Sequence, residues 1–90
     1  MAWTIEYAEG LQKTVAKLDP VIRQRIRSYL EGRIAKLDNP RSQGKPLAGP
    51  LSGLWRYRIG DYRIICEIID KRLVVLALKI DHRSSVYRER

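Results

Sequence analysis

Between Trp55 and Ile80 the chain reads as three strand-length runs joined by two very short links, Gly60-Asp61 and Asp70-Lys71. Trp55–Ile59, Tyr62–Ile69 and Arg72–Ile80 are rich in branched and aromatic residues, and a two-residue connection joins only antiparallel neighbours. The segment is therefore expected to form an antiparallel meander. Side chains alternate along a strand. Arg56 and Arg58 then share one face while Trp55, Tyr57 and Ile59 share the other. On the next strand Arg63, Ile65 and Glu67 point one way, and Tyr62, Ile64, Cys66 and Ile68 the other. A hairpin turned at Gly60-Asp61 makes Arg58 and Arg63 cross-strand neighbours, and like charges placed opposite each other destabilise a sheet. Either this face is built to receive an anion, or the two arginines splay into solvent or pair with Asp61 and Glu67.

The first half is built differently. Trp3–Tyr7 alternates apolar and polar residues and predicts a half-buried strand. Leu11, Val15 and Leu18 recur at helical spacing and predict a short helix. At Asp19-Pro20 an N-cap and a first-turn proline open a second helix. Its apolar stripe runs through Val21, Ile22, Ile26, Tyr29, Leu30, Ile34 and Leu37, with Arg23, Arg25, Arg27, Glu31 and Lys36 opposite, and it is expected to stop near Asp38-Asn39-Pro40. Residues 39–53 hold three of the four prolines and three of the six glycines, which marks a loop. Residues 84–90 are expected to form a turn of helix. Blocks of helices and strands argue for an α+β fold, with two N-terminal helices packed on one face of a small twisted antiparallel sheet. Ninety residues make a single domain, 1–90, which buries only about 60% of its unfolded surface.

Charge then narrows the partner. Eighteen Lys and Arg stand against ten Asp and Glu, a net +8, and arginine outnumbers lysine twelve to six. The arginine fork matches phosphate oxygens in pairs, so nucleic acid is favoured over an acidic protein or an anionic surface. No apolar run approaches the roughly 20 residues of a membrane span, and MAWTIEYAEG lacks a basic segment followed by an apolar one, so neither membrane nor secretory signal is expected. A lone Cys66 forms no disulfide within the chain, and the cytoplasm is the expected compartment. One Cys and one His do not build a structural zinc site, no glycine-rich phosphate loop is present, and Cys66 reads as a buried, inert thiol. Neither metal nor cofactor is expected.

The segment from Asp81 to Arg88 gathers the remaining chemistry: the imidazole of His82, the guanidinium of Arg83 and the phenol of Tyr87. Cleaving an RNA phosphodiester needs a base for the ribose 2′-hydroxyl, a cation for the crowded phosphorane and an acid for the departing 5′-oxygen. An imidazole serves as acid or base near neutrality, Arg83 can neutralise phosphate, and Tyr87 can hydrogen-bond or stack on a base. The alternative is a solvated histidine and a tyrosine covering the edge of a thin core.

Three stretches together resemble a known family. These are Lys45-Pro46-Leu47-Ala48-Gly49; then Leu54-Trp55-Arg56-Tyr57-Arg58-Ile59-Gly60-Asp61-Tyr62-Arg63-Ile64-Ile65; then His82-Arg83-Ser84-Ser85-Val86-Tyr87. In order and spacing they resemble the RelE branch of the RelE/ParE superfamily of bacterial toxin–antitoxin toxins. The resemblance implies helices on a twisted antiparallel sheet and a ribonuclease that enters the ribosomal A site and cuts the bound codon through the 2′-hydroxyl without a metal. It also implies a cognate antitoxin that blocks the toxin, and a joint complex that represses its own operator DNA.

Carried over by position, Arg63 matches the arginine that stabilises the phosphate in the transition state. Arg83 matches the arginine that serves the leaving group, and Tyr87 the tyrosine that orients the nucleophile or stacks on the base. Arg56 and Arg58 occupy positions of backbone-contacting lysines that also assist proton removal, and Lys45 matches a basic residue of the preceding loop. Arginine, with a pKa above about 12, is a poor general base, so the resemblance leaves that task to His82 or Tyr87. Two other activities fit the same fold: a ParE-like inhibitor of DNA gyrase without catalysis of its own, and a member that only binds antitoxin and operator DNA.

Overall fold

The computed structural model describes residues 2–82, and all statements of structure concern these. The order of elements is β1 (Thr4–Tyr7), α1 (Glu9–Lys17), α2 (Pro20–Gly32), β2 (Lys45–Pro46), β3 (Trp55–Ile59), β4 (Tyr62–Ile69) and β5 (Val74–His82), with short 3₁₀ turns between them. The five strands form one sheet in the order β1-β5-β4-β3-β2. The α+β class and the helices on one face are as the sequence predicts. The sheet is mixed, however: β1 runs parallel to β5, while the other neighbours are antiparallel. The helical pair lies between β1 and the meander in sequence, and so supplies the long crossover that a parallel pair needs.

Local chemistry explains most boundaries. Asp19 caps α2, its carboxylate accepting from the Val21 amide at 2.9 Å, with Pro20 in the first turn. The helix stops at Gly32, six residues before the expected end, and a separate 3₁₀ turn, Ile34–Lys36, continues the apolar stripe. Gly32 is a weak helix former, and Arg33 leaves the helical path at φ −119°. Val21, placed on the stripe by spacing, is 66% exposed at the helix start. Gly60 takes φ +60° in the first position of a two-residue loop joining paired Ile59 and Tyr62, a conformation that favours glycine. The β4–β5 connection is longer than expected: Asp70–Arg72 form a 3₁₀ turn and Leu73 adopts a left-handed φ of 53°, so the last strand begins at Val74.

The core lies between the helices and one sheet face. Leu11, Ile26, Leu30 and Ile34 meet Tyr57, Ile59, Ile64, Cys66, Ile68, Val75 and Ala77. Tyr57 is fully buried, and its hydroxyl donates to the Pro40 carbonyl oxygen at 2.7 Å, tying β3 to the loop before β2. That loop is held a second time. Arg41 forms a two-pronged pair with Asp70 at 3.0 and 2.6 Å and lies 5.9 Å from the centroid of the Trp55 ring.

Candidate functional site

The sheet face turned away from the helices carries the charge. Strand register arranges it in two adjacent rows. One row runs Lys45, Arg56, Ile65, Lys79 across β2, β3, β4 and β5; the next runs Arg58, Arg63, Asp81. Five cations and one carboxylate thus occupy neighbouring positions. Arg58 and Arg63 are indeed cross-strand partners, and among the described residues neither pairs with Asp61 or Glu67.

A break in strand phase makes this face possible. The β4–β5 register shifts between Ile65 and Cys66: Cys66 pairs with Ala77, yet Ile65 pairs with Lys79, leaving Leu78 as an extra residue. Before the bulge, Val75 and Ala77 face the helices. Had the period of two continued, Lys79 and Asp81 would point into the core. The bulge turns them onto the charged face and sends Ile80 to the helix side instead, the re-aiming that β-bulges perform beside functional sites.

Arg56, Ile65 and Lys79 of the first row and Arg63 and Asp81 of the second line a concavity of about 700 Å³, within the range of small-ligand sites. It is lined by the charged Arg56, Arg63, Lys79 and Asp81 and by the apolar Leu47, Leu51, Leu54, Ile65 and Leu78. The leucine wall comes from the loop after β2, where Leu47 donates its amide to the Leu54 carbonyl at 3.0 Å and Leu51 stands 47% exposed on a 3₁₀ turn. A smaller hollow of about 140 Å³ adjoins it at the sheet edge and brings Lys45 together with Arg56 and Arg58.

Arg63 is the centre of this arrangement. Its Nη1 is buried and has no hydrogen-bond partner. A buried unsatisfied donor is unfavourable by about 1–3 kcal/mol, more when charged. This nitrogen belongs to a side chain set between Arg58 and a pocket lined by Arg56. Asp81, directly across the ladder, is ion-paired with Lys79 at 3.6 Å.

The structure thus brings together Lys45, Arg56, Arg58 and Arg63. It does not bring His82 to them. His82 pairs with Tyr62, and their rings meet edge to face at 5.0 Å on the helix side of the sheet. The same alternation that turns Asp81 toward Arg63 turns His82 to the other side of the sheet. Arg83 and Tyr87 lie outside the described residues. Spacing alone missed Lys79, Asp81 and the leucine wall; the signal for the first two was the lysine and aspartate appearing where the Val75–Ala77 period demands apolar residues. Burial pushes the Cys66 thiol up to about 12, which leaves it un-ionised and inert. No group of three His, Cys, Asp or Glu that could hold a metal occurs among the described residues, and no helix among them is long and apolar enough to cross a membrane.

Comparison with known proteins agrees along the whole chain. Residues 5–87 match the family described as ParE toxin of type II toxin–antitoxin systems. Toxin RelG of Mycobacterium tuberculosis is 31% identical over 98% of this chain and 99% of its own. The mRNA interferase toxin RelE of Escherichia coli is 28% identical over 99% and 94%. Among solved structures, the RelBE2 toxin–antitoxin complex of M. tuberculosis superposes with a TM-score of 0.83 at 28% identity, covering 93% of this chain and 94% of that one. The isolated E. coli RelE toxin superposes with a TM-score of 0.71 at 22% identity, covering 98% and 94%, a likeness of fold. On this ground the chain belongs to the RelE/ParE family of type II toxin–antitoxin toxins, as a RelE-like member.

Proposed function

We propose that this toxin is an endoribonuclease that cuts messenger RNA in the ribosomal A site, by attack of a ribose 2′-hydroxyl on the adjoining phosphate. The observation that carries this is the buried, unpartnered Nη1 of Arg63 at the floor of a concave face shared with Arg56 and Lys79. A phosphorane crowds negative charge onto its oxygens, and a fixed guanidinium meets it with little reorganisation. Lys45, Arg56 and Arg58 hold the flanking backbone as phosphate contacts that position rather than specify. The family resemblance gives Arg83 and Tyr87 the roles of leaving-group stabilisation and orientation of the nucleophile. The full-length similarity to a relative named as an mRNA interferase supports the reading. The partners follow: the ribosome and its message as substrate, in the cytoplasm; a cognate antitoxin, as in the M. tuberculosis complex; and operator DNA reached through that antitoxin.

The experiment is primer extension on ribosome-bound message with the wild type, Arg63→Ala, Arg83→Ala and Tyr87→Phe. Loss of one transition-state cation is expected to slow cleavage about 10²–10³-fold; equal cleavage by all four proteins overturns the mechanism. The match to a family named for ParE supports a second reading, inhibition of DNA gyrase. Stoichiometric inhibition in a supercoiling assay, with cellular message intact, decides for that reading.

A further inference from the structure

We infer that Asp81 is the general base of the cleavage reaction, taking the proton from the attacking 2′-hydroxyl. The inference rests on the ribonuclease reading and fills the role that Arg56 and Arg58 leave open. An ammonium or guanidinium only donates hydrogen bonds, whereas an ionised carboxylate only accepts them. Of the charged side chains that line the concavity among the described residues, Arg56, Arg63 and Lys79 are cations and Asp81 alone is an acceptor. Its placement suits the task. It is the ladder partner of Arg63, and paired side chains on one face of a sheet stand about 4.5–5.5 Å apart at Cβ. A phosphate held by Arg63 therefore presents the neighbouring ribose to Asp81.

Three further details separate a base from a bystander. The carboxylate is 19% exposed, against 56% for the lysine it pairs with, so it belongs to the pocket wall more than to the surface. Lys79, at 3.6 Å, fixes its orientation from the same strand, as Arg63 and Arg56 face it from β4 and β3. And Asp81 reaches this face only because of the bulge at Leu78. A carboxylate beside a phosphate site works against affinity, since it repels the ligand the five cations attract. A fold that breaks strand phase and brings one there needs a use for it.

An Asp81 Oδ takes the 2′-hydroxyl proton, the 2′-oxygen bonds to phosphorus, and the bond from phosphorus to the 5′-oxygen breaks. The products are a 2′,3′-cyclic phosphate and a 5′-hydroxyl; the departing oxygen takes its proton from solvent, and Asp81 returns its own to solvent.

The test compares wild type, Asp81→Asn and Asp81→Glu in two measurements. One is the single-turnover rate of cleavage on bacterial ribosomes programmed with message, taken across pH. The other is binding to the same ribosomes carrying a message with a 2′-deoxy substitution at the scissile nucleotide. Asp81→Asn is expected to bind as well as wild type or more tightly, to cleave about 10²–10⁴-fold more slowly, and to lose the rise of rate with pH on the acid side; Asp81→Glu recovers part of the rate. Cleavage by Asp81→Asn at the wild-type rate or faster overturns the inference, leaving Asp81 as a moderator of charge. Equal loss of binding and cleavage also overturns it, making Asp81 a prop for the fold. Failure of the wild type itself to cleave overturns the ribonuclease reading and this inference with it.

Discussion

Arg63→Met is expected to make the toxin more stable and useless. In the free protein Arg63 carries two liabilities: a buried Nη1 without a partner and a second arginine, Arg58, directly across the ladder. The first is unfavourable by about 1–3 kcal/mol, the second by a few tenths to about 1 kcal/mol. Methionine keeps an unbranched apolar stem in the concavity that Ile65 and Leu78 also line and removes both. Even the low end, about 1 kcal/mol, raises Tm by about 4–8 °C for a domain of this size. The assay is thermal melting of both proteins with and without inorganic phosphate. Phosphate at ten times its Kd adds about 1.4 kcal/mol to a protein that binds it only when folded. The wild type is expected to gain this and the variant not, so the gap in Tm narrows as phosphate rises. General salt effects act on both and cancel in the comparison. If Arg63→Met melts at or below the wild-type temperature, or if phosphate lifts the two equally, then Arg63 is not a strained anion site and the central reasoning about this face fails.

Other consequences can be checked in the same way. Tyr57→Phe strips the Pro40 carbonyl of its buried donor and is expected to cost about 1–2 kcal/mol, read as a lowered midpoint in a denaturant titration with an unchanged slope. Deleting Leu78 removes the extra residue, so Lys79 follows Ala77 directly and stays with Asp81 on the charged face while Ile80 stays on the helix side; a cooperative melt in circular dichroism is expected to survive, and its loss refutes the reading of Leu78 as a bulge. The Arg41 guanidinium holds the Asp70 carboxyl below its ordinary value. A lowered folded-state pKa gives stability that is present above the unfolded value of about 3.9 and is lost as pH falls through the folded one. The difference in Tm between wild type and Asp70→Asn is therefore expected to vanish in acid; a difference that persists there refutes the assignment.

Much of the frame was legible because it depends on local rules. The Asp19-Pro20 helix start, the Gly60-Asp61 turn and the facing of Arg58 by Arg63 each follow from one residue's conformational preference or from strand alternation. What escaped depends on distant partners. Nothing near Thr4–Tyr7 says that this strand runs parallel to β5, since the choice is made by the length of the helical crossover and by Val74–Ala77 waiting at the sheet edge. Nothing near Ile34 says that the stripe changes from α-helix to 3₁₀ turn while still feeding the core; Gly32 alone hints at it.

The site divides along the same line, and the bulge at Leu78 is where the division matters most. Counting by twos from Val75 puts His82 on the charged face and Asp81 in the core; counting through the bulge reverses both. A histidine is the conventional choice for proton transfer near neutrality, and residue type alone selects it here. Position selects the aspartate, because a base has to share a surface with the cation that holds the phosphate, and only one of two adjacent residues on a strand can do so. The inserted leucine therefore settles which proton acceptor faces Arg63, without itself touching the chemistry. A polar residue found where the apolar period of a strand forbids it is evidence of a phase break, and the residues just past that break are the first ones to examine for function.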